Sequence, residues 1–275
     1  MSINGYNIIK ELGKGSAGVV YLATKGNSKD LLAIKKQDFT NYVTARMESN
    51  VLHRVSQKCD NVLGYLDSFM IGSDHHLVTE YVKGVSLFDI ERNDNLTKED
   101  PENILYLIVQ LFNALSCLHS NNIVHRDVKN ANIMINASST YPLNLKDADL
   151  TLIDFGLACD DKNCGYNARS GTPAYMSPEL IMNNKYNFEM YKASDVWAAG
   201  VCFYFLINKN PPIPARVEFI SMKSNFDRMI NYIKSGKPIE PLNFKDKRVT
   251  DIISACLDYN YKTRITAADV LQSEI

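Results

Sequence analysis

Residues 195–208, DVWAAGVCFYFLIN, are apolar on nearly every side of a helical wheel. A helix without a polar face has to be enclosed by other elements. The apolar run within it is also too short to cross a bilayer, so it predicts the central helix of a core. The 275 residues of the chain are enough to supply the layers that enclose it. Those layers change character along the chain. Residues 6–35 alternate β-branched or apolar with polar side chains around GKGSAG and KGNSKD, which predicts strands joined by tight turns. Residues 42–55, YVTARMESNVLHRV, place Glu48, Val51, Leu52 and Val55 at three-to-four spacing, as a short amphipathic helix does. Two further strands are expected around Val62–Met70 and His76–Tyr81. The class is therefore α+β: a small sheet with one helix, then a larger, mainly helical part.

In that second part Asp100 and Pro101 form a helix start, followed by an apolar face of Ile104, Leu107, Ile108, Leu111, Leu115 and Leu118. Two short apolar segments, 132–136 and 150–153, flank a loop, ASSTYPLNLKDA. The charges balance, 30 basic against 31 acidic with a formal net charge of −1, so nothing pulls the whole chain towards nucleic acid or an anionic membrane. The opening MSINGYNIIKEL lacks the basic and apolar regions of a secretory leader. Cys59, Cys117, Cys159, Cys164, Cys202 and Cys256 show no CxxC spacing, so neither a zinc site nor a disulfide framework is expected. These features predict reduced thiols and a cytoplasmic protein, in a host cell's cytoplasm for a viral or effector chain. A redox pair at Cys159 and Cys164, close together in a polar segment, is the alternative.

The residues that carry chemistry begin with GKGSAGVV, where Gly13, Gly15 and Gly18 let backbone amides approach phosphate oxygens and Val20 covers a purine. Alone the pattern also fits an ordinary β-turn. A dinucleotide fingerprint falls away because a strand follows rather than a helix. In LAIK, Ala33 leaves room for a flat ring and Lys35 aims a point charge from a strand; Glu48 on the next helix is placed to hold it. In HRDVKNANI, residues 125–133, Asp127 suits proton acceptance from a hydroxyl, Lys129 neutralisation of a phosphate, and Asn132 a metal ion. Asp154 in TLIDFGLA supplies a second oxygen ligand of the kind magnesium prefers. Taken singly, each is equally a turn residue or a helix cap.

Taken in order, GKGSAGVV, LAIK, Glu48, HRDVKNANI, DFG, SPE and DVWAAG resemble the eukaryotic-type protein kinase family, serine/threonine branch. The resemblance implies a two-lobed fold over 1–275: a small antiparallel β-sheet lobe with one helix over about 1–82, and a larger helical lobe over about 83–275. It implies ATP and Mg2+ in the cleft between them, and transfer of the γ-phosphate to serine or threonine of a protein substrate. On this resemblance Leu12, Gly13, Lys14, Gly15, Ser16 and Gly18 form the lid over the nucleotide, with Val20 and Ala33 against adenine. Thr79 guards the back of the pocket, and the backbones of Glu80 and Val82 meet the base. Lys35, held by Glu48, contacts the α- and β-phosphates. Asp127 is the base, Lys129 the γ-phosphate partner, and Asn132 and Asp154 the metal ligands. Thr172 hydrogen-bonds Asp127 and Lys129, Glu179 pairs with Arg264, and Asp195 braces the catalytic loop. Lys129 and Thr172 mark the serine/threonine branch, and Leu157 a preference for serine. Ser86 and Ala131 replace acidic residues that select upstream arginine. A monomer is expected, with no nucleic-acid or membrane partner. The alternatives are a pseudokinase-type ATP-binding scaffold and a small-molecule kinase.

Four departures stand out. Ala17 replaces an aromatic lid residue, Lys35 and Glu48 are closer in sequence than usual, and 137–149 is longer than usual. The fourth concerns control. Arg126 resembles the arginine that cradles an activation-loop phosphate, but Ala168 occupies the usual acceptor position. Ser170 is then the expected regulatory site, with Tyr166 and Thr172 as neighbouring hydroxyls.

Overall fold

The computed structural model describes residues 2–15, 18–38, 40, 42–92, 101–136, 145, 148–165, 170–215 and 222–273. Strands β1 (Ser2–Ile3), β2 (Tyr6–Gly15), β3 (Gly18–Lys25) and β4 (Leu32–Gln37) precede helix α1 (Tyr42–Val55), and β5 (Tyr65–Ile71) and β6 (Asp74–Glu80) follow it. They form one antiparallel sheet in the order β1-β2-β3-β4-β6-β5. Alternation buries Tyr6, Ala23, Ile34 and Val78 against each other in a small core of its own. Gly18 is required where β3 begins. Its φ is +130°, and a Cβ there would stand 2.1 Å from the carbonyl oxygen of Lys36.

The larger part opens with β7 (Val85–Ser86) and α2 (Leu87–Glu91), where Ser86 and Asp89 form a reciprocal capping box. Next come α3 (Pro101–Ser120), β8 (Ile123–Val124), β9 (Ile133–Asn136), β10 (Asp149–Leu152) and β11 (Cys159–Asp160). Helices α4 (Pro178–Met182), α5 (Phe188–Asn208), α6 (Met222–Lys234), α7 (Lys247–Cys256) and α8 (Ala267–Gln272) complete the chain order. Two small sheets, β10-β9-β7 and β11-β8, carry the loops of the site. The expected cap at Asp100 and most of the 137–149 loop lie outside the described residues.

Helix α5 is the central helix its composition predicts, buried along most of its length including Trp197, Ala199, Val201, Cys202 and Phe203. Asn187 caps it by accepting from Met190 N at 2.9 Å, and it ends at Lys209 in the left-handed region, φ 59°. Helix α3 is long and apolar enough to cross a membrane by composition, but Leu107, Ile108, Leu111, Leu115 and Leu118 have no exposed surface and belong to the same core.

The cysteines correct an expectation. Cys59 is disulfide-bonded to Cys117 and Cys159 to Cys164, whereas Cys202 and Cys256 are free and buried. The first pair joins positions 58 residues apart, because the turn after α1 packs on α3. Sequence spacing carries no trace of such an approach.

Candidate active site

A cleft of about 600 Å³ lies between the six-stranded sheet and the helical part. Leu12, Gly13, Gly15, Gly18 and Val20 line it from β2 and β3, Ala33 and Lys35 from β4, Glu48 from α1, and Leu77 and Thr79 from β6. Glu80, Val82 and Gly84 border it where the sheet passes into the helical part. Leu63, Ala131, Met134 and Ile153 complete the apolar wall, with Asn132 and Asp154 at one end. Lys14 is exposed and takes no part in the wall, since successive strand residues face opposite sides. Ser16 lies outside the described residues. The register sets the depth: Ala33 stands opposite Thr79 on β6, and Lys35 opposite Val20 on β3.

Lys35 Nζ donates to both carboxylate oxygens of Glu48 at 2.9 Å and to Asp154 Oδ1 at 2.8 Å. Burial of the ammonium draws the Lys35 pKa down, but the charges of Glu48 and Asp154 more than reverse this, and the net shift is upward. Glu48 is 1% exposed, and burial raises its pKa against the opposing pull of Lys35. Burial acts in the same sense on Asp154, but there Lys35 outweighs it and holds the carboxyl below its ordinary range. Asp154 therefore stays ionised, with 40% of its side chain open at the end of the cleft. Its backbone has φ 61°, as Arg126 has φ 67°, both unfavourable for residues with a Cβ. Their chain neighbours meet: Phe155, fully buried, packs edge-on against the ring of His125 at 4.8 Å.

The loop from His125 to Asn132 is fixed from beneath by α5. Buried Asp195 accepts from His125 N through Oδ2 and from Arg126 N through Oδ1, both at 2.8 Å. Above that anchor Asp127 Oδ2 accepts from Lys129 Nζ at 2.6 Å, and Oδ1 from the Thr172 hydroxyl at 2.8 Å. Lys129 also reaches Thr172 Oγ1 at 3.3 Å. Asn132 donates from Nδ2 to the Asp127 carbonyl oxygen at 2.9 Å, which turns its own side-chain oxygen the other way. Gly171 lets the Thr172 segment come this near: its φ is +106°, and a Cβ would lie 2.7 Å from Arg126 O.

Arg126 donates to Ser170 Oγ from Nε at 2.9 Å and from Nη2 at 2.5 Å, so the residue expected as a regulatory site does meet the expected cradle. Tyr166 and Ala168 lie outside the described residues. Glu179 and Arg264 are paired as expected. The sequence reading missed Leu63, Leu77, Met134 and Ile153 in the cleft wall. The last two had a signal, two residues after Asn132 and one before Asp154, on strands whose alternation decides which side chain faces the cleft.

The protein kinase domain family model matches residues 6–275. The chain is 29% identical over 265 residues to the probable serine/threonine-protein kinase mkcF of Dictyostelium discoideum, covering 95% of this chain and 35% of that protein. It is 28% identical over 277 residues to the serine/threonine-protein kinase sid1 of Schizosaccharomyces pombe, covering 99% and 54%. Against calcium-dependent protein kinase 5 of Plasmodium berghei it is 31% identical over 264 residues, covering 93% and 42%. The chain thus spans about a third to about half the length of these relatives. The sheet-and-helix architecture, the cleft and the family match across nearly the whole chain agree, and the chain belongs to the protein kinase domain family.

Proposed function

We propose that this chain is an ATP-dependent serine/threonine protein kinase in which Asp127 receives the proton of the acceptor hydroxyl. The observation that carries the reading is the convergence of two networks on one cleft. Lys35, Glu48 and Asp154 form one, and Asp127, Lys129, Thr172 and Asn132 the other.

Phosphoryl transfer needs positioning and charge neutralisation more than covalent chemistry. Lys35, fixed by Glu48, presents a cation to the α- and β-phosphates of ATP. The glycines of β2 and β3 allow backbone close to the phosphates, and Val20, Ala33, Met134 and Ile153 form apolar walls for a flat base. Lys129 sits beside Asp127, where its charge offsets that of the transferred group. Thr172 and Lys129 each hold one oxygen of Asp127, fixing the carboxylate's orientation towards an incoming hydroxyl.

The donor set at the end of the cleft fits magnesium: an ionised carboxylate on Asp154 and the side-chain oxygen of Asn132 are hard ligands. Asn132 and Asp154 would hold the ion, which when bound neutralises phosphate charge. The preference for serine acceptors rests on the resemblance at Leu157, the residue after Asp154-Phe155-Gly156, which is 39% exposed. The similarity to serine/threonine-protein kinases supports a protein substrate, and a cytoplasmic monomer belongs to the same reading.

Radiolabel transfer from ATP to generic protein substrates, wild type against Asp127→Asn, tests this. The expected loss is on the order of a hundredfold or more, from a missing base. Equal activity of the two proteins would sink the assignment.

A further inference from the structure

Cys159 lies on β11, paired with Val124 immediately before the His125–Asn132 loop, and its sulfur is bonded to that of Cys164. The turn between them is shaped by Asp160 independently of the sulfur bond. Its carbonyl oxygen accepts from Asn163 N and Cys164 N, both at 3.0 Å, and its Oδ1 accepts from Asn163 N at 3.0 Å and Nδ2 at 2.7 Å. The two cysteines, with Cα atoms 5.2 Å apart in the disulfide, are thus joined by a turn that also has hydrogen bonds of its own. The same Asp160 meets Arg54 of α1 at 2.6 Å, on the helix that carries Glu48.

Arg126 is the second observation. Its Nη1 lies 3.2 Å from Cys159 Sγ, its other nitrogens meet the Ser170 hydroxyl, and its guanidinium stacks 4.7 Å from the centre of the Tyr191 ring. Among the described residues no carboxylate is in salt-bridge contact with it. A guanidinium 3.2 Å away favours the thiolate form of the cysteine, the form that reacts, and opposes the effect of burial. Cys159 has no exposed surface and Cys164 is 7% exposed, so a peroxide reaches the pair when the exposed Asp161–Asn163 turn opens. Among the described residues no such cation contacts the Cys59–Cys117 pair, whose sulfurs face the neutral Asn121 amide.

We propose that Cys159 and Cys164 form a reversible dithiol–disulfide site, oxidised by hydroperoxides, whose disulfide form keeps β11 and its turn docked against α1 and the catalytic loop. Cys159 thiolate attacks the peroxide O–O bond, giving a sulfenic acid and releasing water after protonation. The Cys164 thiol then attacks the sulfenic sulfur and expels a second water as the disulfide forms. Overall two thiols and one hydrogen peroxide give one disulfide and two waters, and a dithiol such as dithiothreitol reverses the change by exchange. In the reduced form the covalent tie across the turn is lost and the Cys159 thiolate competes with Ser170 for Arg126, so that hydrogen bonds alone hold Asp160 in place against Arg54 of α1. The effect on catalysis rests on the kinase reading above; the modification itself does not.

The test uses the whole chain carrying Cys59→Ser and Cys117→Ser, cycled between hydrogen peroxide and dithiothreitol. Mass mapping after iodoacetamide reads the thiols, hydrogen exchange reads segments 44–55 and 156–165, and phosphotransfer reads activity. Peroxide is expected to remove both alkylation sites of the 159–164 peptide, slow exchange in both segments and raise activity several-fold, all reversibly. Cys164→Ser should abolish the response and leave a dimedone-trappable sulfenic acid on Cys159, and Arg126→Gln should slow alkylation of reduced Cys159. If the double variant fails to fold, mapping the unsubstituted chain reads the two pairs separately. Continued alkylation of Cys159 and Cys164 after peroxide, or identical exchange in both redox states, overturns the inference. Redox-insensitive activity overturns its link to catalysis and leaves the kinase reading intact. Reversible disulfide and exchange changes with no phosphotransfer in either state would count against the kinase reading and support the site.

Discussion

Glu179 and Arg264 meet as a bidentate ion pair at 2.7 and 2.9 Å, with side chains 3% and 0% exposed. Arg264 also donates to the carbonyl oxygens of Ala193 and Asp258 and stacks against Trp197 at 5.0 Å, so one side chain ties α4, α5 and the segment before α8 together. Removing one member leaves the other charge buried without compensation. Arg264→Ala is therefore expected to lower stability by about 3–5 kcal/mol, although Arg264 lines no part of the cleft. Urea unfolding checks this. A loss within ordinary surface-mutation range, about 0.5 kcal/mol, would show that the pair is not buried in solution.

Lys35 serves two carboxylates at once, and Lys35→Met should separate their fates. Glu48, buried and already biased towards its neutral form, takes up a proton and keeps its place. Asp154 loses the cation that holds its pKa down and becomes a poorer ligand for magnesium. Phosphotransfer should fall on the order of a hundredfold, with weaker magnesium dependence, while the melting profile keeps a single transition. Retained activity with unchanged magnesium dependence would remove Lys35 from the proposed machinery.

What could be read from the chain, and what could not, follows from the range of the interactions. Gly13, Gly15 and Gly18, or Asp127, Lys129 and Asn132, lie within a few residues of each other, so local spacing carries their geometry. The lack of a polar face on Asp195–Asn208 similarly announces a core helix. Pairing across distance is different. Cys59 finds Cys117 and Arg54 finds Asp160 only because α1 packs where it does, and each member alone looks like an ordinary cysteine or surface charge. Lys14 shows the opposite case: it falls inside a motif, but its side chain is exposed and lines no part of the cleft.

Strand β6 buries two histidines on its opposite faces, His75 towards α1 and His76 stacked on Phe69 at 5.1 Å, which gives a pH dependence. His75 and His76 are 6% and 2% exposed, and His75 Nε2 lies 3.3 Å from Ser49 Oγ of α1. Burial lowers both pKa values; neighbouring charge adds to this at His75, and for His76 contact with Asp74 partly opposes it. The unfolded chain then binds protons at higher pH than the folded one. Stability should be constant above about pH 6.5 and decline as pH falls from there towards the folded values. Thermal melts across pH 5–8 check the sign, and His75→Leu with His76→Leu should flatten the slope. A slope of opposite sign would mean that the rings are charged in the fold.

Gly171 offers a separation of substrate chemistry from nucleotide binding. At φ +106°, with a prospective Cβ 2.7 Å from Arg126 O, no side chain fits without moving the backbone. In Gly171→Ala the displaced segment carries Thr172 away from Asp127, breaking the 2.8 Å bond that orients the carboxylate. The cleft walls are built by other residues, so ATP affinity should be unchanged while kcat falls by roughly ten- to a hundredfold, as expected when an orienting contact is lost. Thr172→Ser keeps the hydroxyl and should stay near wild type, whereas Thr172→Ala should reproduce the loss. Nucleotide titration alongside steady-state kinetics separates the two effects. If Thr172→Ala is as active as Thr172→Ser, the hydroxyl does not position Asp127 and the loss in Gly171→Ala comes from elsewhere in the loop.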